Sequence, residues 1–210
     1  MTSPGNSGHA SPTSGPFGSA SAPASPRLRT VFWTAAITVI VLDILTKALA
    51  VKLLQPQHVP HQIIGNVVRF TLAYNPGAAF SMSLGTYSRY VFGAFALVAL
   101  YILWRLYRSS QPGDVARVLA LGLAWGGAAG NLLDRVRFGT WGRLGGGVVD
   151  FIDIGVGDVR FWTFNVADSA VTVGALLLAW VLWREDREAL AIAAAEAAAR
   201  DSMPGKSAAE

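Results

Sequence analysis

Two aspartates stand out in a chain that is otherwise strongly apolar. Asp150 follows two valines in Val-Val-Asp-Phe, and Asp168 ends the segment Phe-Asn-Val-Ala-Asp. A carboxylate near the hydrocarbon boundary of a membrane is costly unless it has a partner or a function. Two adjacent carboxylates share one proton, so that one takes a proton from water while the other donates to a carbonyl oxygen. The pair therefore predicts hydrolysis by activated water at a membrane surface.

Further polar residues recur at helical spacing near the same predicted surface. Asp43 and Lys47 are four residues apart, and Asn165 lies three residues before Asp168. The same spacing recurs at the end of the third predicted helix, in Asn131, Asp134 and Arg135. Residues three or four apart share one face of a helix. Three of the four predicted helices therefore bring polar groups to one leaflet, which indicates a site there.

Each of these groups also has a structural interpretation. Asp43 with Lys47 is either an ion pair inside the bundle or a pair that positions substrate. Asp134 is interpreted as an ion-pair partner of its neighbour Arg135. Gly126 and the glycine four residues later form a G-x-x-x-G step, which is typical of close helix packing.

The partner of Asp168 is left open by spacing alone. Asp150, Asp134 and Asp153 all lie at distances in sequence that would allow the pairing. Asp153 and Asp158 are interpreted as solvated loop charges. Catalysis is favoured for Asp150 and Asp168, because neither has a neighbouring cation in the sequence to neutralise it.

Composition excludes several functional classes. The chain has 210 residues, of which 52% are hydrophobic and only 14% charged, whereas soluble domains carry about 25% charged residues. There are no cysteines and three histidines, which excludes thiol catalysis and disulfides and makes a zinc site improbable. We therefore expect no metal and no cofactor. The arginines flank apolar runs and form no single basic face, so nucleic-acid binding is not expected.

Four apolar segments predict transmembrane helices at about 31–50, 87–107, 115–133 and 166–183, each close to the roughly 20 residues that cross a bilayer. The predicted fold is thus an all-α membrane protein. Residues 27–184 form its four-helix domain, 1–26 a disordered Gly/Ser/Pro-rich tail, and 185–210 a polar, Ala-rich tail.

The segments between helices one and two and between helices three and four are not lipid-like. Apolar and polar residues alternate along Val68–Tyr74, as in a half-buried strand, and Asn75-Pro76-Gly77 then predicts a turn. Val148–Ile152 also reads as a strand. Both segments must lie on one side of the membrane, so we expect a small sheet or cradle there.

The orientation of the helices in the membrane is predicted from the basic residues at their ends. Seven basic residues flank the predicted helices on the side of the termini and seven on the other side. The tight clustering of the first group at helix ends favours cytoplasmic termini.

Taken together, the motifs resemble those of the bacterial lipoprotein signal peptidases (signal peptidase II). The resemblance covers about 31–183 and is carried, in this order, by Asp43-Ile-Leu-Thr-Lys47, Asn75-Pro-Gly-Ala-Ala-Phe-Ser81, Gly126-Gly-Ala-Ala-Gly-Asn131-Leu-Leu-Asp134-Arg135, Val148-Val-Asp150-Phe-Ile152 and Phe164-Asn165-Val-Ala-Asp168-Ser169.

This resemblance implies an aspartic endopeptidase of the bacterial cytoplasmic membrane, with both termini cytoplasmic and the site, small sheet and lid loop extracytoplasmic. It implies removal of the signal peptide from prolipoproteins by cleavage before a diacylglyceryl-modified cysteine, and inhibition by globomycin. The family's catalytic dyad matches Asp150 and Asp168. Its substrate-binding and groove positions match Asn131, Arg135, Asn165, Asn75, Asp43 and Lys47.

One departure concerns the segment between Arg135 and Val148. It contains Thr140-Trp141-Gly142-Arg143 and three consecutive glycines, and it is longer than the family commonly has. We expect it to reshape the lid loop and leave the dyad unchanged.

Two alternative functions remain. A Ser/Lys peptidase would use Ser81 with a desolvated Lys47 as its base. A proton-coupled transporter would relay protons through the buried ionisable groups. A transporter, however, usually places them near the midplane and shows repeated halves, whereas this chain places them at one leaflet.

Overall fold

The computed structural model describes residues 25–75, 87–136 and 147–202. Four helices in this part of the chain are long and apolar enough to cross a membrane, which confirms the prediction. They are α1 (Pro26–Leu53), α2 (Ser88–Arg108), α3 (Val115–Val136) and α4 (Val166–Ser202). Most of the expected tail at 1–26, Pro76 to Ser81, and the expected lid segment at 137–146 lie outside the described residues.

The last helix is longer than its predicted membrane span. It continues from Trp183 to Ser202 through a sequence rich in Ala, Glu and Arg, residues with high helix propensity. Arg117 of α3 forms an ion pair with Glu185 at the start of this extension, and Arg184 pairs with Glu188 at 3.4 Å. The polar, Ala-rich tail expected from residue 185 is therefore helical as far as Ser202, longer than the brief helix that its composition suggested.

The strands form one antiparallel sheet in the order β1-β2-β3-β4. Their bounds are β1 (His61–Ile64), β2 (Val68–Asn75), β3 (Val148–Val156) and β4 (Val159–Arg160). The two predicted strands, Val68–Tyr74 from its alternation and the strand-like Val148–Ile152, lie in β2 and β3, and the small sheet is confirmed. In their register Ala73 lies opposite Asp150, and Asn75 lies opposite Val148.

Asp153 was wrongly predicted to be a solvated charge. It lies on β3 and is 6% exposed, with Arg69 at 2.9 Å and Arg160 at 2.7 Å from its carboxylate. The β2–β3 register places Arg69 directly opposite. Burial raises the pKa of Asp153, but hydrogen bonds from Arg160, Arg69 and Thr71 outweigh it and hold the pKa below its usual value. Asp158, in contrast, is exposed as expected.

Helices α1, α3 and α4 approach closely through glycines. A Cβ added to Gly126 would lie 2.7 Å from the Ala36 carbonyl oxygen of α1, and one added to Gly174 of α4 would lie 2.7 Å from the Ala120 carbonyl oxygen of α3. The G-x-x-x-G step thus packs α3 against α1, as predicted.

Two apolar clusters stabilise the ends of the bundle. The first, which we call the aromatic cluster, joins α1, α2 and α3 through Phe32, Trp33, Trp104, Tyr107 and Trp125. The rings of Phe32 and Tyr107 stack with their centroids 4.1 Å apart. The second cluster joins the end of α1 to the sheet through Ala50, Leu54, Leu72, Val149 and Phe151. This second cluster fixes β3 against the helix end that carries Asp43 and Lys47.

Candidate active site

The start of α4 is organised by a reciprocal pair of hydrogen bonds. Asn165 precedes the helix, and its Oδ1 accepts from the backbone N–H of Asp168 at 2.9 Å. The Oδ2 of Asp168 accepts in return from the backbone N–H of Asn165 at 3.1 Å. This capping box satisfies two donors that a helix start would otherwise leave free. It also holds the Asp168 carboxylate at the positive end of the helix dipole.

Asp150 reaches the same point from β3. Its side chain is nearly buried, with a relative exposure of 3%, and its Oδ1 accepts from Nδ2 of Asn165 at 2.7 Å. Asn75, at the end of β2, also hydrogen-bonds to this carboxyl group. Burial and, to a lesser degree, the charge of Asp168 together raise the pKa of Asp150 to about 7, against the opposing effect of the hydrogen bonds from Asn165 and Asn75 and of the charge of Lys47. Near neutral pH this carboxyl group therefore readily holds a proton.

Asn131 of α3 supports the second carboxylate. Its Nδ2 donates to Oδ1 of Asp168 at 2.7 Å, and its Oδ1 accepts from Lys47 Nζ at 2.9 Å and from Asn165 Nδ2 at 3.1 Å. Asn131 and Asn165 thus link the carboxyl groups of Asp168 and Asp150 through amide hydrogen bonds. Such side-chain networks define geometry more sharply than single contacts do.

Lys47 lies among three acceptors. Its Nζ is 2.7 Å from Oδ2 of Asp43 and 2.8 Å from Oδ2 of Asp134, in addition to the Asn131 contact. Lys47 is 2% exposed and Asp43 is fully buried. The prediction that Asp134 pairs with Arg135 is therefore wrong, because the close approach of α1 and α3 brings Lys47 to Asp134.

Arg135 lies beside the dyad. Its Nη1 donates to the Asn131 carbonyl oxygen at 3.0 Å, and its guanidinium carbon is 5.9 Å from the centroid of the Phe92 ring. Its charge interacts with both Asp168 and Asp150. A half-buried guanidinium at this position has donors available for a carbonyl group near the dyad.

The structure brings all eight sequence-predicted site residues into one cluster. The side chains of seven are joined to one another by hydrogen bonds or ion pairs. The eighth, Arg135, donates a hydrogen bond to the backbone carbonyl oxygen of Asn131. Sequence reasoning missed Asp134 as a member, although its spacing from Asn131 was a usable signal. Ser81 lies outside the described residues. Within the described ranges, no group of three or more His, Cys, Asp or Glu side chains is arranged to hold a metal ion.

Comparisons with known proteins identify a family for this chain. A family model described as Signal peptidase (SPase) II matches residues 35–184, a range that contains all eight site residues. A lipoprotein signal peptidase of Mycolicibacterium smegmatis is 44% identical over 82% of this chain and 69% of its own length. One from Mycobacterium tuberculosis is 43% identical over 78% of this chain and 76% of its own.

Similarity extends to a solved structure, described as a bacterial membrane enzyme. It aligns with a TM-score of 0.65 at 26% identity, over 78% of this chain and 92% of that chain. The described part of the chain contains four helices long and apolar enough to cross a membrane. The chain therefore belongs to the signal peptidase II family of multi-pass membrane peptidases.

Proposed function

We propose that this protein is an aspartic endopeptidase that removes the signal peptide from lipidated prolipoproteins. It cleaves before the diacylglyceryl-modified cysteine with a water molecule activated by Asp150 and Asp168. The observation that carries the proposal is the convergence of these two aspartates, one from a strand and one from a helix start, on the side chain and backbone of Asn165. The names of the curated relatives support the substrate class.

The reaction uses the different surroundings of the two carboxyl groups. With its pKa near 7, Asp150 holds the shared proton, and Asp168 acts as the base that accepts a proton from water. The water oxygen bonds to the scissile carbonyl carbon while Asp150 donates its proton to the carbonyl oxygen. In the second step the C–N bond breaks, and the proton held by Asp168 passes to the leaving nitrogen. The carbonyl re-forms and returns a proton to Asp150, so that the dyad is restored.

Substrate contacts are proposed for the groups that border the dyad. Arg135 uses one of its five donors on the Asn131 carbonyl within the described part of the chain, which leaves others for a substrate carbonyl oxygen. Asn75 at the end of β2 is placed to contact an extended substrate as well as Asp150. Asn131 and Asn165 donate hydrogen bonds to the carboxyl groups of Asp168 and Asp150.

The same arrangement supports an orientation. Four spans place the start of α1 and the end of α4 on one side of the membrane. The site is formed at the other side, by the second half of α1, the end of α3 and the start of α4. We propose that both termini are cytoplasmic and that the site faces outward, where an exported prolipoprotein presents its cleavage site.

The test uses purified protein in detergent with a diacylglyceryl-modified prolipoprotein. Asp150→Asn and Asp168→Asn should each reduce kcat about 1,000-fold or more, because each removes a general acid or base. Asp158→Asn, on the exposed β3–β4 turn, should retain full activity. The unmodified precursor should remain uncleaved.

Retention of activity by both dyad variants would overturn the mechanism, and equal cleavage of modified and unmodified precursors would overturn the substrate assignment. The Ser/Lys alternative is disfavoured because the side chain that would serve as its base, Lys47, is engaged in ion pairs with two carboxylates. The transporter alternative gains no support from a cluster confined to one end of the bundle.

A further inference from the structure

We propose that Asp43, Lys47 and Asp134 form a positioning network that sets the spacing of the two dyad aspartates and orients the amide of Asn131. The inference rests on the proposed function, because it assumes that Asp150 and Asp168 do the chemistry. Of the two sequence interpretations of Asp43 and Lys47, it extends the ion pair inside the bundle and departs from the pair that positions substrate.

The network begins with two backbone contacts of the same kind. Asp43 Oδ1 accepts from the N–H of Ala167 at 3.0 Å, and Ala167 immediately precedes Asp168. Asp134 Oδ2 accepts from the N–H of Val149 at 3.3 Å, and Val149 immediately precedes Asp150. Each carboxylate of the network therefore anchors the backbone next to one member of the dyad.

Lys47 connects these two anchors. One ammonium group lies 2.7 Å from the Asp43 carboxylate and 2.8 Å from that of Asp134. Because Asp43 is on α1 and Asp134 is on α3, the ammonium group ties together the helices that hold the starts of α4 and β3. The separation of Ala167 and Val149, and with it the separation of the dyad, depends on this link.

The third contact of Lys47 orients an amide. Asn131 Oδ1 faces two donors, Lys47 Nζ at 2.9 Å and Asn165 Nδ2 at 3.1 Å. If this amide were flipped, its NH₂ group would face both donors and its oxygen would face the Asp168 carboxylate. The positive charge of Lys47 therefore selects the orientation in which Asn131 donates to Asp168 at 2.7 Å.

Substrate contact by Lys47 is inconsistent with its surroundings. An ammonium group has three donors, and Lys47 has three acceptors, in Asp43, Asp134 and Asn131. With 2% of its surface exposed and these three oxygens at 2.7, 2.8 and 2.9 Å, its ammonium group is enclosed by protein. Its influence on the reaction must pass through Asn131 and the two anchored backbones.

The experiment measures kcat and KM separately for Asp134→Leu and Asp134→Asn. Asp134→Leu removes the Val149 anchor but leaves the neutral Lys47–Asp43 pair, so kcat should fall about 100-fold, as for a displacement of about 1 Å. Asp134→Asn keeps an acceptor oxygen of the same shape and should recover part of this loss, to about 10-fold below wild type. KM should change less than about threefold in both. If Asp134→Leu does not fold, Asp134→Asn alone decides.

Glu185→Gln serves as the control, because Glu185 forms an ion pair between α3 and α4 at the opposite end of the bundle. It should leave kcat unchanged. A rise in KM with unchanged kcat in the Asp134 variants would overturn the proposal in favour of substrate contact, and unchanged kcat and KM would overturn it outright. Activity that survives Asp150→Asn and Asp168→Asn would instead reject the dyad, which keeps the two failures distinct.

Discussion

Opposite ends of the same helix bundle are held together by different interactions. At the aromatic cluster, α1, α2 and α3 meet through stacked and edge-to-face rings around Phe32, whose side chain is fully buried. At the active-site end, α1, α3 and α4 meet through buried ions and amides around Lys47. Both ends use closely packed helices, but among the described residues the charged side chains classed as buried are Asp43 and Lys47 of the active-site end and Asp150 and Asp153 of the adjoining sheet.

The difference separates stability from chemistry. Between helices in lipid there is little hydrophobic driving force, so the aromatic cluster stabilises the bundle through packing. Buried ion pairs seldom add net stability, because desolvation offsets their attraction. The buried ions of the active-site end are therefore best explained by the geometry that they impose on Asp150 and Asp168. The aromatic cluster provides much of the stability that burying these ions requires.

Of the substitutions that compare the two ends of the bundle, the one with the largest expected effect fills the space beside the buried ions. A Cβ added to Gly130 would lie 2.7 Å from Oδ2 of Asp43, so Gly130→Ala should displace the Asp43 carboxylate and with it the start of α4. We expect kcat to fall about 100-fold, since small displacements of catalytic groups have effects of this size. Steady-state cleavage of a lipidated prolipoprotein measures it.

Gly93→Ala is the matched control, because the nearest atom to its added Cβ would be Leu132 Cδ1 at 4.0 Å. It should behave as wild type. If Gly130→Ala keeps wild-type kcat, the tight packing at the active-site end has no role in catalysis, and the contrast between the two ends fails.

A smaller effect, on stability alone, is expected at the aromatic end. Phe32→Ala should lower the free energy of unfolding by about 2 kcal/mol, because it leaves a cavity in the aromatic cluster. The free energy of transferring the phenyl ring out of its surroundings adds little to this loss, because the alternative surroundings in a membrane are apolar lipid. Thermal unfolding in detergent measures the loss, and kcat well below Tm should be unchanged. As a control, Phe95→Ala, at a position 66% exposed, should unfold like wild type. A large drop in kcat for Phe32→Ala would show that the aromatic cluster also affects catalysis, so that the roles of the two ends are not separate.

Features that depend on local pattern were predictable from the sequence. Length and hydropathy predicted four spans, alternation predicted the strand that became β2, and the strand-like run Val148–Ile152 predicted β3. The two-residue strand β4 and the four-residue β1 were missed, because strands this short have too few positions to show alternation. The extension of α4 was underestimated, since a polar helix without an apolar face gives no membrane signal.

Side-chain partners across the fold were harder to predict. Asp134 has Arg135 beside it in sequence, yet its ion-pair partner is Lys47, 87 positions away. Asp153 has no adjacent cation, yet Arg69 and Arg160 bind it from neighbouring strands. Both errors arise because strand register and helix packing, which sequence spacing does not report, decide which charges meet. The dyad was recognised through its family motifs, since spacing left Asp150, Asp134 and Asp153 as alternatives.

Infrared titration of the carboxylic-acid C=O stretch tests the central claim most directly, by comparing wild type with Asp150→Asn. Because the pKa of Asp150 is raised to about 7, its proton is held below that pH and lost above it. We predict a band that is present at mildly acidic pH, disappears with a midpoint near pH 7, and is absent from the variant. A wild-type spectrum with no band attributable to Asp150, or a midpoint near the ordinary aspartate value of about 4, would contradict a proton shared between Asp150 and Asp168.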